Sequence, residues 1–132
     1  MIKMEAYSYK WNEFLKSGKV MGMKCNDCGG YEFPPVPICN ECGKTSMDWA
    51  EMSGEAEMLT CGFGPMGIYP FKDDPVVTLG IKLKEGPPFM SWLSEGDQDT
   101  VAEILAMPKP VKLMVDIQQL DENIWWPAFR VV

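Results

Sequence analysis

The chain has 132 residues, of which 46% are hydrophobic, and its formal net charge is −7. This length allows one ordinary domain or two small domains that share an interface. No apolar run approaches the ~20 residues that a membrane-spanning helix needs. The twelve Lys and Arg residues are scattered along the sequence. This pattern disfavours nucleic acid as a ligand, because polyanion binding draws on a clustered basic surface.

The sequence contains no histidine. This absence excludes Ser-His-Asp triads, Cys-His dyads and imidazole bases, so the chain is not expected to be an enzyme on its own. The N-terminal residues, Met1 to Glu5, lack the apolar stretch of a signal peptide. We therefore predict a soluble, cytoplasmic protein whose thiols are reduced.

The first predicted element is an amphipathic helix over residues 5–17. Tyr7, Trp11, Phe14 and Leu15 recur at helical spacing on one face, and Gly18 is a suitable C-terminal stop. The aromatic face either packs on its own domain or docks on a partner, and the sequence leaves both interpretations open.

Two CxxCG units follow a short predicted strand over residues 20–24. The first contains Cys25 and Cys28, the second contains Cys39 and Cys42, and ten residues separate them. Each unit can form a tight turn, because the glycine after its second cysteine tolerates positive φ. Two facing turns offer four thiolates, which is the ligand set of a closed structural zinc site.

These cysteines have two other interpretations. Disulfides within each CxxC would be strained, and nothing else in the sequence indicates secretion. Iron, as in rubredoxin-type electron carriers, uses the same four sulfurs. Zinc is favoured, because most of the chain lies beyond the cysteines whereas a redox carrier needs little more than its metal site.

The stretch between the cysteine pairs contains Pro34, Pro35 and Pro37, which predict a stiff, extended arch. Its apolar side chains, Phe33 and Val36 among them, either form part of the ribbon or present a preorganised contact to a partner. The sequence does not decide between these two roles.

From residue 47 onward the pattern is rich in β-strands. The clearest strand is 75–85, where Val77, Leu79, Ile81 and Leu83 alternate with other residues. Further strands are predicted over 55–61, 89–93, 111–117 and 124–132, with a short helix over 100–106 capped by Asp99. Five or six short strands with one small helix predict an OB-type barrel. We therefore expect a mainly β protein with two domains: an N-terminal helix and zinc ribbon over 1–47, and an OB-fold barrel over 48–132.

Residues 62–71, between the first two barrel strands, are too apolar for a loop that contacts only solvent, since loops normally run over the surface. Aromatic residues and methionine are typical of interfaces, and Trp125 and Trp126 point to opposite faces of a predicted strand. Cys61 is predicted to be a buried structural thiol, since no histidine can activate it. The candidate contacts to a partner or an acyl-CoA pocket are Phe33, Val36, Phe63, Met66, Ile68, Tyr69, Phe71, Trp125 and Trp126.

The order of these features resembles a known family, the rubredoxin-like zinc ribbon plus OB-fold proteins associated with acyl-CoA enzymes. The resemblance covers nearly the whole chain and is carried by the four cysteines, by Phe33-Pro34-Pro35 between them, and by Tyr69-Pro70-Phe71 and Pro127-Ala128-Phe129 in the barrel. One departure is Val36, where the family often has a basic residue. This departure weakens the expectation of phosphate contacts from the arch.

The resemblance implies a non-catalytic accessory subunit of a thiolase-type complex. Such a subunit would dock on the catalytic subunit and help to shape its acyl-CoA site, with acyl-CoA bound mainly by the partner. The aromatic richness is similar to that of the small zinc-finger subunit of a thiolase that handles an aromatic acyl-CoA, as in anaerobic toluene breakdown through benzoylsuccinyl-CoA. The alternatives are a rubredoxin-like iron electron carrier and an OB-fold nucleic-acid-binding protein.

Overall fold

The computed structural model describes residues 2–65 and 74–132, with side chains described from Tyr7 onward. It contains an N-terminal helix, a small three-stranded sheet and a curled five-stranded sheet, so the predicted mainly β architecture is confirmed. The predicted contact residues Met66, Ile68, Tyr69 and Phe71 lie outside the described residues. None of the described helices is both long and apolar enough to cross a membrane.

The N-terminal helix, α1, spans Ile2–Lys16 and precedes the small sheet. This sheet contains β1 (Met21–Cys25), β2 (Tyr31–Glu32) and β3 (Met47–Glu51), in the order β2-β1-β3. All of its pairs are antiparallel, and Cys25 at the end of β1 lies opposite Met47 of β3. The predicted domain boundary after residue 47 stays a prediction, and β3, which crosses it, hydrogen-bonds into the sheet of the ribbon.

The five-stranded sheet forms the barrel. Its strands are β4 (Glu55–Pro65), β5 (Pro75–Leu83), β6 (Pro88–Trp92), β7 (Lys112–Gln119) and β8 (Trp125–Val131), in the order β6-β5-β4-β7-β8. The two outer strands approach each other: Leu93 and Phe129 form a parallel bridge, and Ser94 N–H donates to the Phe129 carbonyl at 2.8 Å. This closure completes the five-stranded circuit of an OB-type barrel.

The barrel core confirms the alternation that the sequence predicts for β5. Val77, Leu79, Ile81 and Leu83 are each at most 1% exposed. Strands of an antiparallel barrel alternate inward and outward, so these four residues point to the same interior as Phe129 of β8.

A short second helix, α2, spans Gln98–Leu105 between β6 and β7 and buries Ile104 in the same core. The prediction that Asp99 caps this helix is wrong, because the cap is Asp97. Its carboxylate accepts the backbone N–H groups of Asp99 and Thr100, and the Thr100 hydroxyl completes a capping box. The helix therefore begins two residues earlier than its apolar pattern indicates.

An aromatic cluster joins the N-terminal part of the chain to the barrel. The Trp11 ring meets Phe33 of the arch and Trp126 of β8, each with ring centroids 5.5 Å apart. Phe33 meets Phe89 of β6 at 4.8 Å, and Trp92 stacks on Trp126 at 5.9 Å. We define the aromatic cluster as these five side chains. Because they come from α1, the arch and two barrel strands, the cluster packs the ribbon against the barrel.

The rest of the aromatic face of α1 packs on the ribbon. The rings of Tyr7 and Phe14 lie 5.8 Å and 5.3 Å from the Trp49 ring of β3, and Leu15 is 1% exposed. The aromatic face of α1 therefore packs within the chain, which is one of the two interpretations that the sequence left open.

Asn12 fastens α1 to the barrel. Its side-chain amide donates to the Asn123 carbonyl at 2.7 Å, and its side-chain oxygen accepts the Trp125 backbone N–H at 2.9 Å. The Asn12 side chain thus supplies one hydrogen-bond donor and one acceptor to backbone groups at or just before the start of β8. These two bonds hold the helix beside the start of β8.

Replacing Asn12 with alanine is expected to lower the free energy of unfolding by about 1–2 kcal/mol, because two hydrogen bonds are lost, one of them part-buried. Asn12→Asp keeps the acceptor for Trp125 but places a carboxylate against the Asn123 carbonyl, so it is expected to destabilise too. Chemical denaturation measures both variants, with Lys10→Ala on the exposed side of α1 as the control. Equal stabilities of Asn12→Ala and Lys10→Ala would contradict the proposed role of Asn12.

Candidate metal centre

The two CxxCG units form knuckles of the same local geometry. In the first, Gly29 N–H donates to the Cys25 carbonyl at 3.0 Å; in the second, Gly43 N–H donates to the Cys39 carbonyl at 2.8 Å. Both glycines have φ of 77°, a conformation that favours glycine over other residues. The prediction of positive φ after the second cysteine of each unit is confirmed.

The knuckles bring the four sulfurs together. Cys25 Sγ lies 3.6 Å from Cys42 Sγ, and Cys28 Sγ lies 3.5 Å from Cys39 Sγ. All four atoms lie within 4.8 Å of one another. A tetrahedral ion with metal–sulfur bonds of about 2.3 Å requires sulfur–sulfur separations of roughly 3.8 Å, so the four thiolates fit such an ion.

One cysteine of each knuckle is buried and the other faces solvent. Cys25 and Cys39 are at most 1% exposed, whereas Cys28 and Cys42 lie at the surface. Gly30 N–H lies 3.4 Å from Cys28 Sγ, the kind of backbone donor that stabilises a metal-bound thiolate. With every tetrahedral position taken by sulfur, the site has no open position for a substrate.

Backbone N–H groups and neighbouring thiols shift the pKa values of Cys25 and Cys28 when no metal is bound. The backbone N–H of Cys28 lowers the pKa of Cys25 to about 7, with further help from Asp27 N–H and from neighbouring thiols. The Gly30 N–H lowers the pKa of Cys28, but the Cys39 thiol and desolvation outweigh it and raise that pKa to about 12. Cys25 therefore ionises more readily than Cys28, and a metal ion would displace the proton that Cys28 retains.

The metal knuckles are tied to the rest of the ribbon by polar contacts. Asn26 donates to Ser46 Oγ at 3.1 Å and to Asp48 Oδ2 at 2.9 Å, which links the first knuckle to β3. Asn40 of the second knuckle donates to Glu32, a carboxylate that is 8% exposed on β2. Sequence reasoning did not identify Glu32 or Asn40, because nothing in the pattern shows that a glutamate beside the arch is buried.

Glu32 also lines a cleft of about 510 Å³ between the ribbon and the barrel, with Glu41 and Glu85. Glu85 accepts the Ser53 backbone N–H at 2.9 Å. Glu32 thus accepts a hydrogen bond from Asn40, and Glu85 accepts one from Ser53, so each carboxylate links two separate segments of the chain.

The predicted contact residues are not gathered at one place. Phe33 is 6% exposed inside the aromatic cluster, Val36 is half-buried, and Phe63 on β4 is 39% exposed. Trp126 belongs to the cluster, whereas the Trp125 ring lies under the Lys16 ammonium at 5.3 Å. Cys61 is half-buried on β4, so it is less buried than predicted. A partner or acyl-CoA contact at any of these residues stays a prediction.

The fold and the four cysteines together define a protein that joins a rubredoxin-like four-cysteine ribbon to an OB-type barrel. In particular, residues 13–48 match the family model of the ChsH2 rubredoxin-like zinc ribbon domain. The resemblance predicted from the sequence is thereby confirmed for the ribbon.

Two solved structures have the same fold. The chain is similar to a protein described as "Ltp2-ChsH2(DUF35) aldolase", with a TM-score of 0.71 and 22% identity over 92% of this chain and 91% of that one. It is also similar to a DUF35 protein of unknown function from Sulfolobus solfataricus, with a TM-score of 0.60 and 17% identity over 96% of this chain and 85% of that one. At these identities the likeness establishes a shared fold, which is that of the DUF35 proteins.

A curated relative is longer than this chain. The "Probable enoyl-CoA hydratase alpha subunit" of Thermomonospora curvata is 24% identical over 120 residues, which are 91% of this chain and 36% of that protein. The chain therefore spans about a third of the length of the relative that it matches.

Proposed function

We propose that this chain is a non-catalytic accessory subunit of an enzyme complex that acts on acyl-CoA. The observation that carries the proposal is the closed set of four sulfurs, all within 4.8 Å of one another, in a sequence without histidine. A tetrathiolate ion has no position for a substrate, so its role here is to fold the ribbon. The chemistry is then supplied by another subunit.

The names of the similar proteins support an enzyme as the partner, and one of the names includes an acyl-CoA substrate. One solved relative is named as an aldolase with a ChsH2 DUF35 component, and the curated relative is named as a subunit of an enoyl-CoA hydratase. In the curated relative, the matched region is about a third of a longer chain. The same ribbon-and-barrel region is therefore joined to additional sequence in that relative, which is consistent with a region that acts beside a catalytic domain or subunit.

We further propose that this chain forms a hetero-oligomer with a thiolase-type catalytic subunit. The complex is proposed to be cytoplasmic, where thiols stay reduced. The partner supplies the nucleophile, the base and most of the CoA contacts. This chain adds apolar walls to the acyl pocket and excludes water, and the proposed substrate is an aromatic acyl-CoA such as that of toluene breakdown. No nucleic acid is involved, since the net charge is −7.

The resident metal is proposed to be zinc, held by Cys25, Cys28, Cys39 and Cys42. When bound, it supplies a redox-inert crosslink between the two knuckles. The same four sulfurs fit iron, which would make the protein an electron carrier. We expect purified protein to be colourless and to contain about one zinc ion per chain by elemental analysis. A visible thiolate-to-iron absorption band with a reversible redox wave would favour the electron carrier instead.

The partner is tested by affinity purification of the tagged chain from its own cells. We expect an acyl-CoA-converting enzyme in the complex at a fixed stoichiometry, acyl-CoA turnover by the complex, and no turnover by the isolated chain. Turnover by the isolated chain, or a chain that elutes from cell extracts as a lone monomer, would overturn the proposal.

A further inference from the structure

One strand of the barrel, β4, is paired along most of its length on one side but only at its start on the other. β4 pairs with β5 from Ala56 to Pro65, but its ladder with β7 covers only Glu55, Ala56 and Glu57. The Met58 N–H still donates to the Val111 carbonyl at 3.0 Å, and a bulge between Met58 and Thr60 follows. Within the described ranges, no strand pairs with β4 on that side beyond the bulge. We call residues 59–65 on this side the free edge of β4.

A free edge presents backbone N–H and C=O groups, from about every second residue, to whatever lies beside it. The edge strands of natural proteins are normally protected against pairing by lysines, inward charges or prolines. Residues 58–65 carry no charged side chain, and Pro65 stands at the very end. The bulge lies at the start of this edge, so it does not interrupt the edge beyond it.

The side chains along this edge are unusually apolar for a solvent-facing strand. Leu59 is 59% exposed and Phe63 is 39% exposed. Among the described residues, no atom lies within 4 Å of the position that a side chain at Gly64 would take. The edge strand β3 differs, because it carries exposed Asp48 and Glu51. The β3 edge thus carries charge, whereas the free edge of β4 carries none.

The exposed backbone and the charge of the chain indicate which kind of partner would bind this edge. Alternating backbone donors and acceptors are satisfied best by another extended strand. A second copy of this chain would bring a further net charge of −7 to the contact, which opposes association. We propose that the free edge of β4 pairs with a β-strand of the catalytic subunit, extending the barrel sheet across the subunit interface. This inference rests on the proposed function. The partner strand is expected to lack acidic residues and to place apolar side chains against Leu59 and Phe63.

The test uses the complex isolated with the tagged chain in three forms: wild type, the double variant Leu59→Lys/Phe63→Lys, and the control Met90→Lys. Met90 is 67% exposed on β6, on the other side of β5 from β4, so the control introduces the same charge away from the edge. Circular dichroism and metal content establish that all three are folded. Hydrogen–deuterium exchange of residues 59–65 is compared between the free chain and the complex.

We expect backbone amides in 59–65 to exchange more slowly in the complex than in the free chain. The double variant is expected to bind the catalytic subunit on the order of tenfold more weakly or worse, while Met90→Lys stays within about twofold. Unchanged exchange in a complex that does form, or equal binding by the double variant and Met90→Lys, overturns the edge proposal and leaves the accessory-subunit proposal standing. Dimerisation of the free chain through residues 59–65 also overturns the edge proposal. Failure to recover any acyl-CoA enzyme with the wild-type chain overturns both.

Discussion

Replacing Cys39 with alanine is expected to abolish stable metal binding and to unfold the ribbon. Cys39 is fully buried, and its sulfur lies 3.5 Å from that of Cys28. Structural zinc sites contribute their binding free energy directly to folding, so losing one of four ligands is expected to cost about 4 kcal/mol or more. Metal content falls from about one ion per chain to nearly none, as elemental analysis would show.

The matched control for this substitution is Cys61→Ser. Cys61 is the remaining cysteine of the chain, it lies half-buried on β4, and it does not belong to the group of four sulfurs. We expect this variant to keep its full metal content and the ribbon structure. A folded Cys39→Ala variant that retains the metal, or a Cys61→Ser variant that loses it, would show that the four sulfurs do not hold the ion.

Acidification and chelators act on the same site. Protons compete with the metal for thiolates, so metal affinity falls as the pH falls. We therefore expect a strong chelator to unfold the ribbon of the wild-type chain more readily at pH 5 than at pH 8. The core of the barrel, which contains Leu79 and Ile81 but no metal ligand, is expected to lose structure only at higher denaturant concentration.

Replacing Phe33 with alanine is expected to lower the free energy of unfolding by about 3–5 kcal/mol, which is typical of a buried phenylalanine. Its ring lies 5.5 Å from the Trp11 ring and 4.8 Å from the Phe89 ring, so it connects α1, the arch and the barrel. We expect the loss to separate the ribbon from the barrel. Hydrogen exchange would quicken in α1 while β5 stays protected.

The control lies in the same arch. Ile38 is 50% exposed, so Ile38→Ala removes apolar atoms without opening a cavity and is expected to change stability by no more than about 0.5 kcal/mol. Chemical denaturation compares the two variants. A cost below about 1 kcal/mol for Phe33→Ala would mean that the aromatic cluster does not hold the ribbon on the barrel.

Features that depend on local spacing could be predicted from the sequence. The knuckles follow from two cysteines and a glycine within five residues, and both glycines have the predicted positive φ. The alternation of Val77, Leu79 and Ile81 predicted a strand with one buried face, and these residues are buried. Each of these signals is contained within a single element.

Features that join distant segments could not be predicted in the same way. The aromatic character of Phe33, Trp11 and Trp126 was plain, but which of them meet is decided by packing between α1, the arch and β8. Nothing in the sequence indicated that Asn12 bonds to the barrel, because an asparagine on the polar face of a helix has no distinctive spacing. The helix cap was misplaced by two residues, since Asp97 and Asp99 both precede the same apolar pattern.

The contact between Asn12 and Trp125 links residues that are 113 positions apart in the chain. Contacts of such wide separation form late, since the intervening chain must first be brought to order. The cysteine knuckles lie within 18 consecutive residues and can capture their ion early during synthesis. Until β8 leaves the ribosome, Trp11 lacks its neighbour Trp126, so a nascent chain passes through a stage with a finished ribbon and an incomplete aromatic cluster. Within this part of the chain, we therefore expect chaperone binding during translation to be greatest just before β8 emerges.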